Sequence, residues 1–152
     1  MLKKIISGGQ SGVDRAALDA ALRLGIPHGG WLPKGRITED GPLPAKYNLV
    51  ELPTDSYAER TEKNVVDSDG TLIISRGTPT GGTDYTRKMA LKHGKQMLHI
   101  DLALYTNPID AASIVSSWIK MSNIGILNVA GPRASKDPDT YAAALAILMH
   151  IQ

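Results

Sequence analysis

Short apolar runs alternate six times with longer stretches at helical spacing, and that alternation constrains the fold of this chain more than any other feature. Lys4-Ile5-Ile6-Ser7 reads as a strand. Val13, Ala16, Ala17, Ala20, Ala21 and Leu24 then form one face of a helix that Gly25 ends. Ile26 to Trp31 reads as a short second strand, residues 32–47 as a long loop, and residues 48–52 as a third strand closed by Pro53. Ser56 and Glu59 form a capping box that opens a helix to about Asp67. Thr71-Leu72-Ile73-Ile74-Ser75 is the clearest strand, followed by a helix over residues 82–93 and a strand over 96–100. Asn107-Pro108 and Asp137-Pro138 each place a capping side chain before proline, opening the last two helices on either side of a strand at residues 124–130. Such alternation is satisfied by a mostly parallel sheet with helices on both faces, the doubly wound, Rossmann-like α/β arrangement. With 152 residues and neither linker nor repeat, residues 1–152 read as a single domain.

Several partners and chemistries are excluded or disfavoured by composition. The chain has no cysteine, so disulfides, thiolate metal sites and thiol nucleophiles are ruled out. Its net charge of +2 comes from basic and acidic residues mixed along the chain, with no basic stripe, and Phe is absent, which disfavours nucleic acid as a partner. No apolar run approaches the roughly 18 residues of a membrane span, and the apolar start is too short for a signal peptide. The reading is a cytoplasmic protein with no membrane partner.

Parallel sheets of this kind bind ligands at the carboxyl ends of their strands, which directs attention to the loops after Ser7, Trp31, Ser75 and Ala130. The first loop, Ser7 to Arg15, carries Gly8, Gly9 and Gly12 around Gln10 and Ser11 and leads into a helix. A phosphate is expected on its backbone N–H groups from Gly9 to Gly12. No acid stands at the end of the second strand for a dinucleotide ribose, and no Gly-Lys-Ser/Thr closes the run as in a P-loop. The second loop, Arg76 to Arg87, repeats the device with Gly81, Gly82 and Thr83 at a helix start and Arg76 as a cation. Arg133 in the loop after Ala130 is a third candidate contact. Asp14 reads either as a favourable charge in a first helical turn, beside Arg15, or as a hydrogen-bond partner for a base or sugar. Trp31 reads as a half-buried wall or a stacking surface, and Asp67 and Asp69 as turn residues. Placing the first strand beside Thr71–Ser75 makes the two glycine loops face each other across one crevice. A phosphorylated small molecule would then be the ligand, and Gly9→Val would abolish its binding without disturbing the fold.

Gly8-Gly9-Gln10-Ser11-Gly12-Val13-Asp14-Arg15-Ala16-Ala17-Leu18-Asp19, Arg60-Thr61-Glu62-Lys63-Asn64-Val65, Ser68-Asp69-Gly70-Thr71-Leu72-Ile73-Ile74, Thr80-Gly81-Gly82-Thr83 and Val129-Ala130-Gly131-Pro132-Arg133 together resemble the molybdenum cofactor carrier family over nearly the whole chain. The resemblance implies a Rossmann-like homo-oligomer related to lysine-decarboxylase-like proteins and cytokinin phosphoribohydrolases. By position it implies ligand contacts at Gly8, Gly9, Gln10, Asp14, Arg15, Asn64, Gly81, Gly82 and Thr83. The expected ligand is a molybdopterin-type cofactor or a nucleotide, held by a carrier. The phosphoribohydrolases carry a catalytic glutamate after their glycine loop, whereas this chain has Lys88 or Met89 there, with Asp84 nearby but at the wrong step along the helix. That departure argues for binding over reaction. The alternatives are a nucleoside-phosphate N-glycosidase or transferase using Asp14 or Asp84, and a nucleic-acid-processing module.

Overall fold

The computed structural model describes residues 1–151. In chain order its elements are β1 (Lys4–Ile6), α1 (Val13–Leu24), β2 (His28–Gly29), β3 (Trp31–Leu32), a 3₁₀ turn (Lys34–Arg36), β4 (Ile37–Thr38), β5 (Gly41–Pro42), β6 (Val50–Glu51), α2 (Tyr57–Val66), β7 (Gly70–Ser75), α3 (Gly81–Lys92), β8 (Gln96–Asp101), α4 (Pro108–Met121), β9 (Ile126–Ala130) and α5 (Thr140–Leu148). Five strands form one sheet in the order β2-β1-β9-β7-β8, with every neighbouring pair parallel. Every residue of β7 is buried, as expected of an inner strand covered on both faces. Ala16, Ala17, Ala20 and Ala21 are fully buried on α1, where their small side chains let the helix lie close to the sheet within the core shared by α4 and α5. A smaller core of Val65, Met89 and Ala90 joins α2 to α3.

The strand order corrects one expectation. β7 does not lie beside β1, because β9 stands between them, pairing Ile5 with Leu127 on one side and Thr71 with Asn128 on the other. The cause is local. The Asp69 carboxylate accepts from the N–H groups of Gly125 and Ile126 at 2.9 and 2.7 Å, and the Gly125 carbonyl accepts from Lys3 and Lys4, so the start of β9 is pinned from both neighbours. Asp69 lies in the bend before β7, as expected, but its carboxylate is spent on β9.

Three other segments differ from their sequence signals. Val50–Glu51 pairs only with Trp31–Leu32, forming a two-stranded ribbon apart from the main sheet, and the long loop contains the β4–β5 hairpin. Leu32, Leu43, Tyr47 and Leu49 bury together with Leu18 of α1; this second small core holds the segment away from the sheet edge. At Asp137-Pro138 the helix starts later, at Thr140, because Asp137 closes a turn by accepting from Asp139 N through its carboxylate and from the Thr140 hydroxyl through its carbonyl. Half of the capping box forms. Ser56 accepts from Glu59 N at 3.1 Å, while the Glu59 carboxylate accepts from Thr54 Oγ1.

Candidate functional site

The carboxyl end of β9 and the loop after β1 open into one cleft, closed on its far side by the start of α3. Of the residues expected at a site, Gly8, Gln10 and Asp14 line it from the first loop, Asn64 from α2, Gly82 and Thr83 from α3, and Arg133 from the loop after β9. Arg60 of α2 and Lys136 line it too, and the sequence reading assigned neither to the site. Arg60 was findable, since it lies one helical turn before Asn64 and so shares its face. Lys136 carries no local signal except its closeness to Arg133. The two glycine loops share one cleft, with residues 131–136 between them.

The first loop is not the open phosphate cradle that its glycines suggest. Gly9 N donates to Ser7 Oγ at 3.4 Å, Gln10 N to Asp14 Oδ2 at 3.2 Å, Ser11 N to Gln10 Oε1 at 3.0 Å and Val13 N to the Pro132 carbonyl at 3.3 Å. The chain's own carboxylate thus occupies the place expected for an anion. A Cβ on Gly9 would lie 3.1 Å from Leu43 and 3.2 Å from Leu49, so Gly9 faces the small apolar core and Gly9→Val would strain packing before it touched a ligand. Ser11 Oγ donates to the Glu39 carboxylate and accepts from Ala134 N at 3.1 Å, tying two loops together outside the cleft. Gly12, at φ +80°, lets the backbone approach Pro132, whose carbonyl oxygen would be 2.4 Å from an added Cβ. Arg15 turns away from the cleft, donating to the Gly9 carbonyl at 3.4 Å with its guanidinium 5.4 Å from the centre of the Tyr47 ring.

Asp14 is buried, and Arg60 Nη1 sits 3.9 Å from its carboxylate and 2.8 Å from the Gly8 carbonyl, to which it donates. Burial raises the Asp14 carboxyl to about 6, against the opposing pull of Arg60 and the Gln10 N–H. Burial also lowers Arg60, against the pull of Asp14. Asp14 is thus neutral below about pH 6 and anionic above it, inside a cleft rich in cations. An anion in the cleft should bind more tightly below pH 6 and lose about tenfold in affinity as pH rises through that value. Titration with sulfate, whose charge is constant over the range, should show this fall in wild type and a flat profile in Asp14→Asn. An unchanged slope in the variant would assign the dependence to another group.

At the opposite wall, α3 begins without a side-chain cap from Thr80, so the N–H groups of Gly81, Gly82 and Thr83 have no helical carbonyl four residues back, and Gly82 and Thr83 line the cleft. Lys136 Nζ donates to Thr80 Oγ1 at 3.3 Å and lies 2.9 Å from where a Cβ on Gly81 would be. Gly81 therefore sits beneath Lys136 and does not line the cleft. Arg76 is diverted to Asp137 at 3.2 Å and lines a neighbouring hollow instead. Asp84 pairs with Arg87 at 2.7 Å and Lys88 at 3.4 Å on its own helix, away from the cleft lining. The Asn64 carboxamide spends both ends on the Trp31 main chain, accepting at 2.8 Å and donating at 3.1 Å, so it clamps α2 to β3 as well as lining the cleft. The Trp31 ring donates to Asp67 at 2.6 Å beneath Lys63, outside the cleft. Among the described residues no group of His, Asp or Glu could hold a metal ion, and no helix is long and apolar enough to cross a membrane.

The model of the circularly permutated YpsA SLOG family matches residues 5–152. Among solved structures, the chain is similar to a protein from Syntrophus aciditrophicus SB named "Putative molybdenum carrier protein". The two are 51% identical, with 99% of this chain and 96% of that one covered at a TM-score of 0.96. No curated protein matches.

Proposed function

This chain belongs to the circularly permutated YpsA SLOG family, and we propose that it is a binding protein that carries a phosphorylated heterocycle, a molybdopterin-type cofactor or a nucleotide, in the cleft between its two glycine loops. One observation carries this reading: Arg133, Lys136 and the uncapped start of α3 converge on a single cleft. A phosphate would accept from the N–H groups of Gly82 and Thr83 and from the two cations, the arrangement that helix starts offer to anions. Gly8, Gln10 and Asp14 line the remaining wall, where their polar groups suit a sugar or ring, with Asn64 holding α2 in place behind them. The donor set fits the organic phosphate end of a molybdopterin-type cargo; with no cysteine in the chain, any metal on that cargo would keep its own sulfur ligands. The neighbour's name as a molybdenum carrier supports the same class of ligand. The retention of Asp84 by Arg87 and Lys88 supports carriage over hydrolysis.

Gly82→Val tests this reading cleanly. A Cβ on Gly82 meets nothing within 4 Å, so the fold should tolerate the change, while the added side chain enters the space proposed for phosphate. Calorimetric titration with a nucleoside monophosphate should show affinity falling about tenfold or more, with the melting temperature nearly unchanged. A variant that binds as wild type does would move the phosphate elsewhere.

A further inference from the structure

Beside the cleft, at the carboxyl end of β7, lies a second hollow that shares Thr80, Thr83, Pro132 and Lys136 with it. The two spaces differ in charge. The cleft carries Arg60, Arg133 and Lys136 against the single carboxylate of Asp14, whereas beyond the shared Lys136 the hollow's charges are Arg76 and Asp137, which neutralise each other at 3.2 Å. Its walls include the rings of Pro79 and Pro132. A neutral hollow with flat apolar walls next to a cationic cleft suits a ligand with an uncharged planar end and an anionic end.

The ion pair also limits which planar group fits. Asp137 Oδ2 accepts from Arg76 Nε and Oδ1 accepts from Asp139 N, both at 3.2 Å. Each carboxylate oxygen can accept at a second lone pair, so together they can take two donors side by side. The terminal NH₂ groups of Arg76 make no hydrogen bond among the described residues and can donate to a neighbouring acceptor. Two adjacent N–H donors followed by a carbonyl oxygen are the edge of guanine and of a pterin; adenine offers one donor beside a ring nitrogen. We infer that the hollow is the ring subsite of the same bound molecule, and that the Asp137–Arg76 pair selects a guanine- or pterin-type edge. This rests on the phosphate reading of the cleft.

The test is titration of the purified protein with ribose 5-phosphate, AMP and GMP. Ribose 5-phosphate reports the phosphate cleft alone. GMP should bind at least about tenfold more tightly than AMP. Asp137→Asn keeps an oxygen for Asp139 N but replaces one acceptor with a donor, so GMP should fall to the level of AMP while ribose 5-phosphate is unaffected. Arg76→Gln, at a more exposed position, should also narrow the gap between GMP and AMP. Equal binding of GMP and AMP by wild type, or an unchanged preference in both variants, overturns the ring subsite and leaves the phosphate reading standing. Failure of all three compounds to bind overturns the phosphate reading and the ring subsite with it.

Discussion

Replacing Arg133 and Lys136 together by alanine should weaken binding of a phosphorylated ligand about 100-fold or more, with little effect on stability. Both residues are exposed, and Lys136 makes one hydrogen bond, to Thr80 Oγ1. Truncation of exposed side chains of this kind shifts stability by about 0.5 kcal/mol or less, roughly 2 °C in a domain of this size. A charge-assisted hydrogen bond to phosphate is worth about 1.5–3 kcal/mol, a factor of ten or more for each residue. Wild-type affinity should also fall as salt is added, since exposed charges are screened, and the double variant should lose most of that dependence. Arg60 is a poorer probe. Its removal would strand the buried Asp14 and free the Gly8 carbonyl, mixing folding with binding. If the double variant keeps wild-type affinity, the cations are surface charges and the cleft is not a phosphate site.

The elements with strong local chemistry were legible in the sequence. Gly25 ends α1 in the left-handed conformation, Asn107 caps α4 by accepting from Ile109 N at 2.9 Å, and the run around Ile73 forms the wholly buried β7. What could not be read was decided by contacts distant in sequence. Asp69 holding the N–H groups of residues 125 and 126 sets the place of β9, and no local pattern announces a carboxylate that acts more than fifty residues away. The same limit applies to the site. A glycine run permits a tight turn but does not say which face of it meets a ligand, and here Gly9 faces Leu43 while Gly8 faces Arg60 and the cleft. Asp14, which the sequence left open between a helix-start charge and a ligand contact, is held by a bond within its own loop and also lines the cleft.

Gly131→Val should cost both folding and binding, unlike Gly82→Val. Gly131 stands where β9 ends and the loop bearing Arg133 and Lys136 begins, between β7 and α1. An added Cβ would lie 2.3 Å from the Ile74 carbonyl oxygen and 2.6 Å from Val13 Cγ2. Neither can yield cheaply. Ile74 is in the wholly buried β7, and Val13 is a fully buried residue in the first turn of α1. Overpacking a rigid core site typically costs about 1–3 kcal/mol, and a clash with backbone should reach the upper end. In a domain of this size that is roughly 6–12 °C in melting temperature. The backbone would relieve the clash most readily by lifting residues 131–136 off the sheet, which would carry both cations away from the start of α3. Affinity for a nucleoside monophosphate should therefore fall even at temperatures where the variant is fully folded. A variant that melts lower but binds with wild-type affinity when folded would show that the position of this loop does not set the site, and that the cations reach the phosphate by their own flexibility.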